Sequence, residues 1–268
     1  MVRVGLVGCG TIGLQLALAV ERAHTAVARI VALHDTNRSH ATTLQRRLHS
    51  RPPILSLAQL IRRSDLVLEA ASVDAAADVA TRALRAHRSV LLMSVGGLLR
   101  SRLWERAVRS SRGTLYLPSG ALAGLDGIKA LAVGRITRAS LTTRKPPRAL
   151  AGAPYVQRRG LKLDRLTKPT VIFEGSAREA IKAFPQNVNV AAALTLAMGR
   201  TGRRAMIRVV ADPTASVNVH ELEVEGDCGR IQCRIQSRPS ANPKTSELAV
   251  RSAIATLNRI FAKVQIGT

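Results

Sequence analysis

Residues 2–13 read VRVGLVGCGTIG, an apolar, strand-like run that passes straight into a glycine turn, and this junction restricts the N-terminal half to few folds. Residues 12–23 follow with helical character, and residues 30–35 (IVALHD) read as a second buried strand ending on the carboxylate of Asp35. Strand, glycine turn, helix and strand form a βαβ unit in which each glycine has its own task. Gly8 permits the tight turn, Gly10 lets backbone N–H groups approach a phosphate, and Gly13 lets helix and strand pack closely. The helix start at Thr11 and Ile12 adds unpaired N–H donors and a partial positive charge. Asp35 follows Gly13 at close to the ~20-residue offset of the acidic residue that bonds an adenosine ribose. The expected dinucleotide contacts are therefore Gly8, Gly10, Thr11, Ile12, Gly13 and Asp35. Asp35 favours NAD, because a carboxylate repels a 2′-phosphate; Arg38 nearby could accept that phosphate, so NADP is the second cofactor considered.

The alternation continues. Residues 39–49 and 56–63 read as helices, 66–69 as a short buried strand, 74–87 as a helix with alanines on its packing face, 89–93 as a strand, 101–112 as a helix and 114–117 as a closing strand. Such continuous apolar strands suit a parallel sheet covered on both faces. Ala71 and Ser72 follow the strand 66–69 at the edge where ligands of such sheets bind, whereas Glu69 is open to a plain reading as a helix cap. The pattern changes at Pro118. Beyond it come a small-residue helix (121–133), a strand (139–143), a loop with proline and glycine (145–155), a strand (170–174), helices (176–184, 189–198) and strands (205–211, 217–225, 230–236). The expected fold class is α/β, a Rossmann-type doubly wound parallel sheet with a second α+β substrate domain. The expected domains are 1–118 for the dinucleotide, 119–241 for substrate and catalysis, and 242–268 as a C-terminal helix packing back on the first.

A net charge of +24, from 41 Lys and Arg against 17 Asp and Glu, raises the question of nucleic acid. The basic residues are scattered through both halves, and one Trp, two Tyr and three Phe leave little to stack on bases. A solvated arginine-rich surface that attracts small anions is the better reading, with no specific nucleic acid as partner. No apolar run approaches the ~18 residues of a membrane span, and the N-terminus has no signal-peptide pattern. The expectation is a soluble, cytoplasmic protein without a membrane partner. Three cysteines without metal-ligand spacing fit a reducing compartment and no metal site. Folds of this class commonly assemble as homo-oligomers, though no segment identifies an interface.

Six strings carry a resemblance: GCGTIG (8–13), EAAS (69–72), LPSGALAGLDGIKA (117–130), VIFEGSAREAIKAFPQNVNVAAAL (171–194), ADPTASVNVHELEVEG (211–226) and NPKTS (242–246). In this order the chain resembles the L-aspartate dehydrogenases, which share a layout with dihydrodipicolinate reductases and homoserine dehydrogenases. The loop 145–168 is the least similar stretch, with only Lys145-Pro146-Pro147 familiar. The resemblance implies reversible NAD(P)-dependent oxidation of L-aspartate to iminoaspartate, which hydrolyses to oxaloacetate and ammonia or enters synthesis of the pyridine ring of NAD. A related reductase acting on another imine or semialdehyde acid is the alternative, and a non-catalytic basic Rossmann protein a remote one. The resemblance also assigns the active-site histidine to His220 and dinucleotide contacts to Ala123 and Asn189, with Ala121 and Asn187 as their neighbours' alternatives.

The residues can also be read directly. In the strand around His220, Glu221, Glu223 and Glu225 fall on one face, and Asn218, His220, Leu222 and Val224 on the other. The glutamates mark solvent, so His220 points to shelter beside Asn218, either as a core histidine or as a base for the substrate nitrogen. Small residues at 119–124 suit a helix start close to a ligand, or simple close packing. Asn187 and Asn189 flank another helix start, so one of them caps it. A dicarboxylic amino acid needs cationic and hydroxyl donors, which Lys244 and Thr245 supply at the head of the last helix, with Asn218 as a further contact. The plain alternative there is an ordinary cap by Asn242 or Thr245. Lys129 and Lys145 are weaker cationic candidates, and the other histidines read as surface residues.

Overall fold

The computed structural model describes residues 1–185, 189–238 and 246–267. The chain divides into two compact units, one made of Met1–Pro118 with Val250–Gln265 and the other of Ser119–Ala249 with Ile266–Thr268.

In the first unit, β1 (Val2–Val7), β2 (Ala28–His34), β3 (Leu66–Glu69), β4 (Ser89–Leu92) and β5 (Leu115–Tyr116) form one sheet in the order β2-β1-β3-β4-β5. Every adjacent pair is parallel. β3 is buried at all four residues and β1 from Val4 onward, as expected of strands covered on both faces. The helix Thr11–Ala23 buries Gly13, Leu16, Ala17 and Val20. The helix Val73–Arg85 buries Ala76, Val79, Ala80, Ala83 and Leu84, a stripe at steps of three and four residues. It is capped by Ser72, with Asp74 in its first turn and Arg82 and Arg85 in its last, each sign complementing the helix dipole. The helix Glu247–Phe261 sends Ala253 and Leu257 into the same core as Val4, Leu6 and Leu16. Burying each such leucine stabilises the fold by roughly 1.5–3 kcal/mol. The helix expected over 101–112 is shorter, Leu103–Ser110, and follows a 3-10 turn at Val95–Arg100. Gly97 lets this turn lie directly against the start of the helix Val73–Arg85, because a Cβ on it would sit 2.3 Å from the carbonyl oxygen of Val73.

The second unit holds β6 (Ile136–Lys145), β7 (Thr170–Ser176), β8 (Met206–Ala211), β9 (Asn218–Gly226) and β10 (Gly229–Ser237), in the order β10-β9-β6-β8-β7. β6 and β8 are parallel, and the other neighbours are antiparallel. Glu221 pairs with Arg234 at 3.3 Å and Glu223 with Arg230 at 2.6 Å on one face of the β9–β10 hairpin. Helix Leu125–Leu131 packs on β9 and β10, helix Ala177–Ala183 on β7 and β8, and helix Asn189–Ala197 on both helices. The small-residue helix expected from residue 121 begins only at Leu125. Gly120 and Gly124 have φ of +66° and +75°, left-handed values that a right-handed helix cannot hold, so 119–124 is a turn. β6 runs beyond the expected strand 139–143 at both ends, to Ile136 and Lys145. The loop after it contains two short helices, Pro147–Leu150 and Pro154–Arg158, each opening on proline. Among the described residues no helix is long and apolar enough to cross a membrane.

Candidate active site

β1 delivers the chain into Gly8, whose φ of +92° belongs to glycine, and a Cβ there would lie 2.5 Å from the backbone of Ala70 and Ala71. A Cβ on Gly13 would lie 2.0 Å from the carbonyl oxygen of Gly8, so the helix Thr11–Ala23 presses directly on the turn. Gly10 begins that helix without a side-chain cap, the first turn holds no acidic residue, and a Cβ on Gly10 meets nothing within 4 Å. Thr11 is exposed, and Ile12, half-buried, packs against the core. Open N–H donors, a positive helix end and space beside Gly10 fit a pyrophosphate.

Asp35 lies at the end of β2, where its Oδ2 accepts a hydrogen bond from the Cys9 N–H at 2.7 Å and its Oδ1 accepts one from the Asn37 N–H at 2.8 Å. Each carboxylate oxygen has a second lone pair, so the hold on the turn leaves capacity for ribose hydroxyls. Asn37 caps the helix Arg38–Arg47. Glu69, fully buried at the end of β3, is no helix cap, contrary to the plain reading of the sequence. Its Oε1 accepts from the Ala71 N–H and its Oε2 from the Ser94 N–H, both at 2.9 Å, and the cap is Ser72. Burial pushes the Glu69 carboxyl up, and hydrogen bonds from Ser94, Ala71 and Met93 pull it back only in part. Gly8, Gly10, Thr11, Gly13, Asp35, Ala71 and Ser72 thus gather at the carboxyl edge of β1, β2 and β3, the side on which parallel sheets of this kind bind ligands.

In the second unit β9 carries Asn218 and His220, 1% and 3% exposed. His220 pairs with Thr143 on β6 and Ile235 on β10, Leu222 with Leu141 and Cys233, and Val224 with Ala139 and Ile231. The covered face is therefore apolar at one end and turns polar at His220 and Asn218. Helix Leu125–Leu131 covers the apolar end. Gly124 and Gly127 bring it so close that Cβ atoms on them would be 2.9 Å from Cys233 Sγ and 2.7 Å from Ile231 Cδ1. At the polar end the Thr143 hydroxyl lies 3.1 Å from His220 Nδ1. Lys145, two residues further along β6, is 4% exposed, and Ser237 pairs with Asn218. Asn218 Nδ2 and Ser237 Oγ are buried without a hydrogen-bond partner among the described residues. Burial, and after it the Lys145 charge, holds the His220 imidazole down to about 3, while burial alone holds Lys145 down to about 8. A neutral imidazole, an ammonium, an amide and a hydroxyl thus share the polar end of this face without a carboxylate among them, a donor set suited to an anion.

Of the remaining sequence candidates, Ala121 is buried and Ala123 exposed, both in the turn before Leu125. Asn189 is the first residue of the helix Asn189–Ala197 and is half-buried. Asn187, Asn242, Lys244 and Thr245 lie outside the described residues. Lys129 forms a surface pair with Asp126 at 3.1 Å. His34, expected at the surface, is half-buried with Nδ1 2.9 Å from the Leu55 carbonyl. Thr143, Ser237 and the bond from Asp35 to the glycine turn are absent from the sequence expectations, where Lys145 stands only as a weaker cationic candidate. The signal for Thr143 and Lys145 was the period of two in Ala139, Leu141, Thr143, Lys145, a strand that ends polar on its inward register.

A parallel dinucleotide-type sheet and a second unit with a sheltered histidine suit a pyridine-nucleotide-dependent dehydrogenase, the class to which the chain's relatives belong. Residues 8–117 match the NAD-binding domain of homoserine dehydrogenases, and residues 126–260 match the C-terminal region of aspartate dehydrogenases. L-aspartate dehydrogenases of Methanosarcina barkeri and Methanosarcina mazei are 45% and 44% identical, with all of each chain covered. The crystal structure of aspartate dehydrogenase from Thermotoga maritima superposes with a TM-score of 0.76 at 25% identity, again over all of both chains. The chain belongs to the aspartate dehydrogenase family.

Proposed function

We propose that the protein oxidises L-aspartate to iminoaspartate reversibly, with NAD preferred over NADP, and that the imine hydrolyses to oxaloacetate and ammonia or passes to a reaction that builds a pyridine ring. The observation that carries this reading is the sheltered His220–Thr143 pair beside the Lys145 ammonium in a chain of this family. The bound nicotinamide supplies the acceptor for the hydride that leaves the substrate Cα. The chain supplies the rest. The helix start at Gly10, Thr11 and Ile12 holds the pyrophosphate, Asp35 the adenosine ribose, and Ala71 and Ser72 line the same edge. Ala121 or Ala123, with Asn187 or Asn189, contact the nicotinamide end. With Nδ1–H donating to Thr143 Oγ1, His220 keeps the Nε2 lone pair and takes the proton that the substrate ammonium must lose before hydride departs. The unliganded imidazole is a weak base, and a dicarboxylate beside it offsets the Lys145 charge and burial that depress it. Asn218, Lys244 and Thr245 serve as substrate donors.

The test is His220→Ala. Turnover with L-aspartate falls by about 10²–10⁴-fold, the usual scale of a lost general base, while NADH affinity is retained. Turnover near that of the unaltered protein returns His220 to the core.

A further inference from the structure

We propose that Lys145 is the substrate-anchoring residue of this site: its ammonium, with the Asn218 amide and the Ser237 hydroxyl, holds one carboxylate of a dicarboxylate beside His220. The inference rests on the reading of His220 given above and adds the group that fixes the substrate against it.

Register places the three donors together. On β6, Thr143 pairs with His220 and Arg144 with Val219, so the next step sets Lys145 against Asn218, which in turn pairs with Ser237 on β10. Side chains alternate along a strand, so Lys145 shares the inward face of Thr143. Arg144 turns to the opposite face and pairs with Asp212 at 3.2 Å. Asp212 is the nearest acidic residue to Lys145 by the chain's hydrogen bonds, its N–H donating to the Lys145 carbonyl at 2.9 Å, but its carboxylate is engaged by Arg144 and Thr214. Among the described residues the ammonium of Lys145 has neither ion pair nor hydrogen-bond partner. The face that holds it, Ala139–Leu141–Thr143 on β6 and Asn218–His220–Leu222 on β9, offers no carboxylate.

A buried cation without a counterion is costly, and two buried donors without acceptors add to the cost. A fold that keeps all three within neighbouring register positions supplies one side of an anion-binding arrangement. A carboxylate completes it, because its two oxygens accept several charge-assisted hydrogen bonds. A substrate lacking that carboxylate leaves the same donors unpaired, which is how polar sites reject analogues most strongly.

The experiment measures succinate binding to the NADH-saturated protein by calorimetry, for the unaltered protein, Lys145→Met and Lys145→Arg, with NADH affinity followed by fluorescence. The expected result is a loss of succinate affinity of about ten- to a hundredfold in Lys145→Met, the scale of hydrogen bonds to a charged group. KM for L-aspartate rises by a comparable factor with a smaller change in kcat, NADH affinity is unchanged, and Lys145→Arg recovers part of the loss. Asn218→Ala, which removes an unpartnered amide, reproduces the direction of the effect if Lys145→Met does not fold. Succinate binding equal to that of the unaltered protein in Lys145→Met, or in Asn218→Ala where that variant stands in, overturns the proposal. So does a fall in kcat with KM and succinate affinity unchanged, which would assign Lys145 to proton transfer. The two readings fail separately. An unaltered protein that ignores L-aspartate but binds succinate through Lys145 keeps the anchor and loses the substrate; one that oxidises L-aspartate with a KM indifferent to Lys145 loses the anchor alone.

Discussion

Asp35 does two things with one carboxylate, and the two separate experimentally. Its Oδ2 accepts from the Cys9 N–H in the glycine turn, while in the function proposed above its remaining lone pairs and its charge distinguish a ribose diol from a 2′-phosphate. Asp35→Ala therefore weakens both cofactors, NAD by about tenfold or more as a charge-assisted hydrogen bond is lost, and NADP by less because a repulsion is relieved too. Fluorescence titration with NADH and NADPH checks this, and equal losses contradict the ribose assignment. The position of Asp35 was legible because the offset from Gly13 is local. Its bond to Cys9 was not, since only the parallel pairing of β1 and β2 brings the two turns together. Lys145 was obscured for a related reason: a strand read as 139–143 ends before the inward register reaches it, whereas β6 runs to residue 145.

At the level of elements, Glu69 ties the end of β3 to that of β4 and to the turn backing Gly8 through two backbone N–H groups. In Glu69→Gln the amide nitrogen faces one of those N–H groups and leaves it without an acceptor. A cost of about 1–3 kcal/mol is expected, read as a lower urea midpoint together with weaker NADH binding. Unchanged stability would show that the strut is dispensable. The alternating half of the chain was legible as elements because buried parallel strands are continuous apolar runs separated by amphipathic helices. The turn 119–124 was not, because its small residues mimic a helix start, and only the positive φ at Gly120 and Gly124 breaks it. The order β10-β9-β6-β8-β7 was equally hidden, since the parallel partner of β6 is β8, far along the chain, and not an adjacent strand.

Across the whole molecule, His220 makes folding sensitive to acid. Its imidazole is held near 3 when folded and returns to its ordinary 6.5 when unfolded, so between those values the unfolded chain binds a proton that the folded chain does not. Stability therefore falls as pH drops through that window, by up to about 1.4 kcal/mol per pH unit from this one group. Urea unfolding at neutral and mildly acidic pH should show a shallower decline in His220→Gln than in the unaltered protein, and parallel declines would contradict the depressed imidazole. The net charge of +24 acts at the same scale, as a field that attracts small anions and weakens as salt screens it. The central claim is the reaction, and it is tested most directly by the initial rate of NADH absorbance with the protein, NAD and L-aspartate at alkaline pH. D-aspartate, L-glutamate, L-alanine and an NADP series serve as parallel controls. NADH formation with L-aspartate alone among these substrates is the expected result, faster with NAD than with NADP. No rate with L-aspartate, in a preparation that still binds NADH, would contradict the claim and turn the search to other imine or semialdehyde acids.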